Sequence, residues 1–266
     1  MNSIIFAVLT VGIIGLAFGL LLAFASVIFK VEVDERVEKI EEVLPGANCG
    51  GCGYAGCSAF AHAVVEKGAP VDACVVGKSP VARQVGGIMG KAVANEAPKI
   101  ARVMCGGDCE KASEKYDYYG VEDCYAANRL AGGQKSCPSG CLGFGSCTKV
   151  CKFDAIKVEN GVAVVDEEKC TACGQCVKVC PKQIIRIVPK SSRVSVLCSN
   201  KKPGKEVNGY CKSGCIACGI CAKNCPFEAI TVENNLASID YSKCKSCGIC
   251  VQKRPKKAII KSNVPE

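Results

Sequence analysis

The chain has 266 residues, of which 24 are Cys and none is Trp, with 6% aromatics and a formal net charge of +9. That length allows one large domain or two smaller ones, yet so few aromatic side chains leave little for a conventional core, so the cysteines must supply the cohesion. The positive charge would suit nucleic acid, but no basic run is interleaved with the aromatics that single strands stack on, which argues against that class.

Residues Ser3 to Phe29 carry no charged side chain, with Ser3, Thr10 and Ser26 as the only polar breaks. As a helix this run is long enough to cross the hydrocarbon core, so residues 1–30 are expected to form a single transmembrane anchor. A cleaved signal peptide is the competing reading, since Ala23-Phe24-Ala25 resembles a cleavage site. It lacks a basic segment before the apolar run, and the run is too long for a signal core. Export would also carry the thiols into an oxidising space. Lys30, Arg36 and Lys39 follow the span and no Lys or Arg precedes it, which places the remainder on the cytoplasmic side of an inner membrane. Gly15, Gly19 and Ala23 form a small-residue stripe that another helix could approach. Val33, Val37, Ile40 and Leu44 recur at helical spacing until Pro45-Gly46, so residues 31–46 read as an amphipathic connector or, more ordinarily, as a helix packed on its neighbours.

Residues 47–104 open on Asn48-Cys49-Gly-Gly-Cys52-Gly-Tyr-Ala-Gly-Cys57, with Cys74 following a helix expected from Ser58 to Lys67. The glycines let backbone amides approach cluster sulfurs, and Cys49, Cys52, Cys57 and Cys74 make one complete four-iron site. The only histidine, His62, lies in that helix and reads as structural rather than as a proton relay. Residues 77–103 read as a linker with one helix.

The rest of the chain is an internal repeat, residues 105–191 and 192–266. Adding 74 to Cys124, Cys137, Cys141, Cys147, Cys151, Cys170, Cys173 and Cys176 gives Cys198, Cys211, Cys215, Cys221, Cys225, Cys244, Cys247 and Cys250. Cys170, Cys173, Cys176 and Cys180, ending in Pro181, form the C-x-x-C-x-x-C-x-x-x-C-P run in which three thiolates grip one cubane and the fourth reaches a second. Cys215, Cys218, Cys221 and Cys225, ending in Pro226, repeat it. Disulfides are disfavoured, because thiols three residues apart on a tight loop seldom reach bridge geometry. Zinc would prefer pairs separated by a longer loop. Asn160-Gly161 between two short apolar runs signals a hairpin within the first copy. The pattern of each copy resembles the two-cluster bacterial ferredoxin fold, so the fold expected is α+β: one transmembrane helix, a small Cys-rich domain and two tandem two-cluster ferredoxin-like modules.

Crossover of the fourth cysteine groups Cys151 with Cys170, Cys173 and Cys176, and Cys225 with Cys244, Cys247 and Cys250. The partner sites each lack one ligand, because Phe144 stands at the second position of one run and Arg254 at the last position of another. Cys137 and Cys211 each precede a ligand by four residues, which gives Cys137, Cys141, Cys147 and Cys180 as one set and Cys211, Cys215, Cys218 and Cys221 as another. Cys105, Cys109, Cys124 and Cys198 would then make a sixth. The alternative is a [3Fe-4S] cluster near Arg254 with some cysteines free. Six oxidised cubanes would add about −12 and leave the loaded chain near −3, so the basic residues mostly offset internal charge.

The order of parts, an N-terminal span, then Asn48 to Cys57 with Cys74, then ferredoxin runs, resembles the B subunit of the Rnf complex, in its long polyferredoxin form. The resemblance implies a membrane-anchored iron–sulfur subunit of a ferredoxin:NAD oxidoreductase that translocates Na⁺ or H⁺, with reduced ferredoxin as donor and the other membrane and peripheral Rnf subunits as partners. The chain has no Gly-rich dinucleotide fingerprint and no acid/base constellation, so it should carry electrons without a substrate-converting site of its own. A membrane-tethered polyferredoxin feeding another reductase is the alternative.

Overall fold

The computed structural model describes residues 2–28, 34–93 and 97–262. Phe29 and Lys30 at the end of the apolar run, and Val33 at the start of the connector, lie outside these.

Helix α1 (Asn2–Ile28) is continuous. Its side chains are described in an unbroken run over residues 9–25, and they point outward, Phe24 with 69% of its surface exposed. Over the described residues, no helix is both long and apolar enough to cross a membrane.

Three helices build the Cys-rich domain: α2 (Glu35–Val43), α3 (Cys57–Glu66) and α4 (Lys78–Met89). Asp34 caps α2 by accepting the Arg36 N–H at 2.9 Å. The amphipathic stripe of α2 does not form a separate connector: Val37 and Ile40 are buried with Phe60 and Val64 of α3 and Val85 of α4 in one core. Fully burying a side chain the size of Ile40 or Phe60 contributes about 1.5–3 kcal/mol.

Beyond α4 comes β1 (Lys99–Val103), a strand in a stretch whose composition suggested only a linker. The first repeat continues with α5 (Cys124–Arg129), α6 (Ser146–Lys149), the hairpin β2 (Ile156–Glu159) and β3 (Val162–Val165), α7 (Gln175–Val179) and β4 (Ile185–Pro189). Asn160 and Gly161 both take positive φ, 47° and 72°, as a two-residue hairpin turn requires. β1 pairs antiparallel with β4, so a strand from the expected linker closes the first module. Alone it looked like linker because only pairing with a strand over 80 residues away completes its hydrogen bonds. The second module follows the same plan, with β5 (Val194–Val196), α8 (Gly204–Tyr210), α9 (Ile220–Lys223), the hairpin β6 (Ile230–Glu233) and β7 (Leu236–Ile239), α10 (Ile249–Gln252) and β8 (Ile259–Lys261), where β5 pairs with β8.

Register decides which cysteines are equivalent. Val103 faces Ile185 in the first module and Val196 faces Ile259 in the second, so Cys105, two residues past β1, is the counterpart of Cys198, two residues past β5. The linear repeat had matched Cys198 with Cys124. Insertion of the segment carrying Cys109 and Cys124 into the first module hides the structural match.

Candidate metal centres

Among the described residues no three His, Cys, Asp or Glu side chains are arranged to hold a single metal ion. The cysteines instead gather in sets around small cavities. Cys49, Cys52, Cys57 and Cys74 surround one, beneath Phe60 and Pro45. Asn48 shapes its rim: the Asn48 side chain accepts the Cys57 N–H at 2.8 Å, fixing the start of α3. Cys151, Cys170, Cys173 and Cys176 line a second cavity. Cys225, Cys244 and Cys247 are charge neighbours of Cys250, whose thiol is pushed up to about 11 by burial first and by those neighbours second.

The backbone around these sets is built to wrap something. The residues on either side of the second cysteine of each run are left-handed: Ala172 and Gly174 around Cys173, Ala217 and Gly219 around Cys218, Ser246 and Gly248 around Cys247. Ala and Ser in that conformation cost about 1 kcal/mol each. Successive turns of this kind aim amide groups inward toward an anion, which is the demand of an iron–sulfur cluster with four thiolates. Amide-to-sulfur hydrogen bonds accompany them: Ala101 N–H to Cys170 at 3.3 Å, Ala155 to Cys151 and Ala229 to Cys225 at 3.4 Å, Ala163 to Cys141 at 3.5 Å. The cysteines and their loops thus fit four-iron clusters, which supply one-electron storage and transfer when bound.

The Phe144 run keeps the same backbone, with Gly143 and Gly145 both left-handed, but lacks the thiol. Phe144 instead packs against Tyr118, ring centres 4.9 Å apart and planes tilted by 52°. Cys124 joins Cys141, Cys147 and Cys180 around the vacant position. It is delivered by a small polar network: Asp123 caps α5, Ser146 donates to Asp123 at 2.7 Å, and the Cys124 N–H donates to Ser146 at 2.8 Å. Since Ser146 is next to Cys147, the network holds the two thiols side by side. Burial pushes the Cys147 thiol up to about 12, with Cys141 and Cys124 the strongest charge neighbours.

Cys137 and Cys211 are therefore not where spacing put them. Cys137 does not sit with Cys141, Cys147 and Cys180, nor do Cys105, Cys109, Cys124 and Cys198 meet. Cys105, Cys137, Cys198 and Cys211 line a cavity between the two modules. Burial, followed by the charges of Cys105, Cys198 and Cys211, pushes the Cys137 thiol up to about 11. Cys215 and Cys218 are charge neighbours of Cys221; Arg254 holds the place that Cys180 fills in the first module, and its Nη1 is buried without a hydrogen-bond partner. Cys109 is exposed at the Asn160-Gly161 turn, its N–H bonded to the Asn160 carbonyl at 3.0 Å. His62 pairs with Glu66 at 2.7 Å on the surface of α3.

The sets stand end to end. Gly51, between Cys49 and Cys52, lies so near the Cys173 backbone that a Cβ would come within 3.0 Å of its carbonyl oxygen, and Gln175 donates to the Cys49 carbonyl at 2.7 Å. Cys147 counts Cys176 among its charge neighbours. The Cys141 N–H donates to the Cys105 sulfur at 3.4 Å, and the Cys215 N–H makes the equivalent bond to Cys198. Cys221 and Cys250 are neighbours in turn. A fully buried cation lies along this path: Lys135, 1% exposed, donates to the Gly107 and Gly161 carbonyls at 2.7 and 2.8 Å. It offsets negative charge beside Cys141, lowering that thiol against burial, which raises it.

Comparison with known proteins finds iron–sulfur families on these stretches. Residues 44–76 match the family described as a putative Fe-S cluster, and residues 163–186 and 212–231 match the 4Fe-4S binding domain. Over 244 residues, 91% of this chain and 73% of the relative, the sequence is 49% identical to the B subunit of the Na(+)-translocating ferredoxin:NAD(+) oxidoreductase complex of Acetobacterium woodii. It is 48% identical to the corresponding subunit of the proton-translocating complex of Clostridium ljungdahlii, over 91% of this chain and 86% of that one. The chain belongs to the family of Rnf B subunits. The B subunit of the ion-translocating oxidoreductase complex of Methanosarcina acetivorans, 42% identical over 86% of this chain and 88% of its own length, extends the likeness to an archaeon. As an Rnf B subunit the chain is an electron-transfer subunit of an oxidoreductase complex, with 4Fe-4S binding domains among its cysteine-rich stretches.

Proposed function

We propose that this Rnf B subunit takes electrons from reduced ferredoxin at its C-terminal module and delivers them to membrane subunits from the Cys49–Cys74 site, as part of a ferredoxin:NAD oxidoreductase that moves Na⁺ or H⁺. The observation that carries this reading is the succession of cysteine sets from Cys247 to Cys49, neighbour to neighbour within each module and interrupted by one step, between the Cys215 and Cys141 sets. Residues Cys49, Cys52, Cys57 and Cys74 would hold one cluster, Cys151, Cys170, Cys173 and Cys176 a second, Cys124, Cys141, Cys147 and Cys180 a third, and Cys225, Cys244, Cys247 and Cys250 another. Cys215, Cys218 and Cys221 offer three thiolates, with Arg254 at the sequence position of the fourth, the donor set of a [3Fe-4S] cluster or of a cubane with one iron open.

Exposure supports the direction. Cys218 and Cys247 are exposed, whereas the equivalent Cys173 is covered by the Gly51 loop. A soluble donor therefore reaches the second module most readily. No helix among the described residues meets the length and apolarity of a span, so a single-pass anchor in the inner membrane with the cysteine domains on the cytoplasmic side rests on the sequence: the uncharged run Ser3 to Phe29, which extends past the described part of α1, and Lys30, Arg36 and Lys39 after it. Replacing Cys247 by Ser in the assembled complex should slow reduction by ferredoxin while dithionite still reduces the Cys49–Cys74 site. Unchanged ferredoxin kinetics would reverse the proposed direction, and reduction of an isolated partner reductase without Rnf subunits would favour the tethered polyferredoxin instead.

A further inference from the structure

The junction between the modules holds a set of thiols that neither regular run explains. Cys105 and Cys198 occupy the same place after the first strand of each module, and Cys137 and Cys211 each lie four residues before the first cysteine of a run. Each module thus contributes one matched pair, and the pairs face each other across a cavity. The wall is made for a bulky occupant: Gly106, Gly107, Gly140 and Gly214 line it. At Gly107 a Cβ would stand 3.4 Å from the Cys211 sulfur and 3.8 Å from the Cys105 sulfur, narrowing the space between them.

Hydrogen bonds aim the thiols from the opposite module. Asn200 of the second module, 1% exposed, donates from Nδ2 to the Cys137 sulfur of the first at 3.4 Å and to the Tyr210 hydroxyl at 2.6 Å. Ser213 donates to the Gly106 carbonyl at 2.8 Å and stands 3.5 Å from the Cys211 sulfur. Gly106 N–H reaches the Leu197 carbonyl at 2.9 Å, and Ser199 donates to the Met104 carbonyl at 3.0 Å. Beyond this ring, Arg102 of β1 donates to the Ser192 carbonyl at 2.9 Å and to the Ser195 hydroxyl at 2.7 Å, tying the same two modules together. Buried polar groups satisfied across a junction fix its geometry, so the four sulfurs converge on one place.

We propose that Cys105, Cys137, Cys198 and Cys211 together bind one four-iron cubane between the modules, two thiolates from each, on the pseudo-twofold relation of the repeat. This deepens the electron-transfer reading and rests on it. The site closes the only break in the succession of sets, because Cys105 is one hydrogen bond from Cys141 on one side and Cys198 one hydrogen bond from Cys215 on the other. A redox-inert ion here would interrupt that path. A ferredoxin fold does not itself provide this site; it arises only when two copies are joined face to face. It also accounts for the left-over thiol, since five sets of four and the Cys215, Cys218 and Cys221 trio leave Cys109 alone among the 24 cysteines.

The test is a pair of double variants in the full-length chain, purified without oxygen, with iron, acid-labile sulfide, zinc and EPR measured on each. Cys137→Ser with Cys198→Ser removes two ligands of the same site. Iron should fall by about four per chain with no new three-iron signal, and the loss should equal that of the more damaging single variant. Cys137→Ser with Cys141→Ser strikes two sites, so its two lesions should add, as about eight irons lost or as two three-iron signals. The reverse pattern, additivity in the first pair and not in the second, would overturn the junction site and restore the grouping by spacing. Both pairs remove two cysteines, so general destabilisation cannot imitate the difference; Cys105→Ser with Cys211→Ser gives a second same-site pair should one fold poorly. Native protein with iron but with one zinc per chain that the first pair alone loses would also overturn the cubane. Native protein with zinc and little iron would instead defeat the electron-transfer reading beneath it.

Discussion

The two ferredoxin-like modules share a strand plan, a hairpin and four left-handed loop pairs, yet each departs from the regular ligand pattern at a different place and repairs it differently. The first module has Phe144 where the run calls for a thiol, and Cys124 of α5 lies beside Cys141, Cys147 and Cys180. The second has Arg254 at the last position of its run, with a buried guanidinium nitrogen that has no hydrogen-bond partner. The first is covered over Cys173 by the Cys-rich domain, while the second leaves Cys218 and Cys247 exposed. A buried Lys135 marks the first module, and its counterpart in the repeat is Gly209. One copy is thus more enclosed and the other more open, although their sequences read as duplicates.

The largest effect that could break this comparison concerns Cys124. Cys124→Ser should remove about four irons per chain, or about one with appearance of a three-iron EPR signal, because the set of Cys141, Cys147 and Cys180 then falls to three. Phe144→Cys added to that variant should restore the lost iron, since Gly143 and Gly145 already hold the backbone in the cluster-wrapping form. Failure of the rescue with Cys124→Ser still deficient would mean that the Phe144 loop no longer presents its side chain inward, and the two repairs would not be alternatives. The mirror experiment in the second module is Arg254→Cys. It should raise iron by about one per chain and abolish an oxidised three-iron signal if the native trio holds three irons. If the native chain shows no such signal and Arg254→Cys gains no iron, the trio already carries a complete cubane.

These repairs also show what was readable in the sequence. The gathering of Cys49, Cys52, Cys57 and Cys74 around one cavity, and of Cys151 with Cys170, Cys173 and Cys176 around another, was legible because most of these cysteines lie on one tight loop or follow a fixed spacing. The hairpin was legible from Asn160-Gly161. Cys124, Cys137 and Cys198 were not, because they are brought to their partners by strand register and by the contact between modules, neither of which leaves a mark in linear spacing. Matching Cys124 with Cys198 at the repeat distance misled for a physical reason: the inserted segment shifted the first strand of one module relative to the rest. Two signals could have corrected it. Apolar residues occur two positions before both Cys105 and Cys198, and Asp123 before Cys124 is a helix cap with no counterpart at Leu197.

A smaller effect tests the covering of Cys173. At Gly51 a Cβ would stand 2.7 Å from Val75 Cγ2 as well as 3.0 Å from the Cys173 carbonyl oxygen, so Gly51→Val must push the Cys-rich domain away from the first module. Overpacking of this kind costs about 1–3 kcal/mol. The expected outcome is a lower melting temperature and faster oxygen attack on the Cys151–Cys176 set, approaching the rate at the exposed Cys225–Cys250 set. Equal oxygen sensitivity of the two sets in the unaltered chain would remove the distinction between enclosed and open modules altogether.

The smallest effect separates the supports of Cys124 from its ligation. Ser146 is buried, 4% exposed, and stands in the second module as Ile220, so its hydrogen bonds belong to the first module alone. Ser146→Ala removes the donor to Asp123 and the acceptor of the Cys124 N–H together. Because Asp123 still caps α5 through the Tyr125 and Ala126 amides, only the orphaned Cys124 N–H is left to carry a penalty, about 1–3 kcal/mol. A loss that size should leave the iron content of fresh protein unchanged and speed release of about four irons to a chelator. The same chelator challenge on Ile220→Ser should change nothing, since that loop has no Asp–Cys pair to hold. Equal sensitivity of both variants would show that the position matters for general loop packing, and that Cys124 reaches Cys147 without help from Ser146.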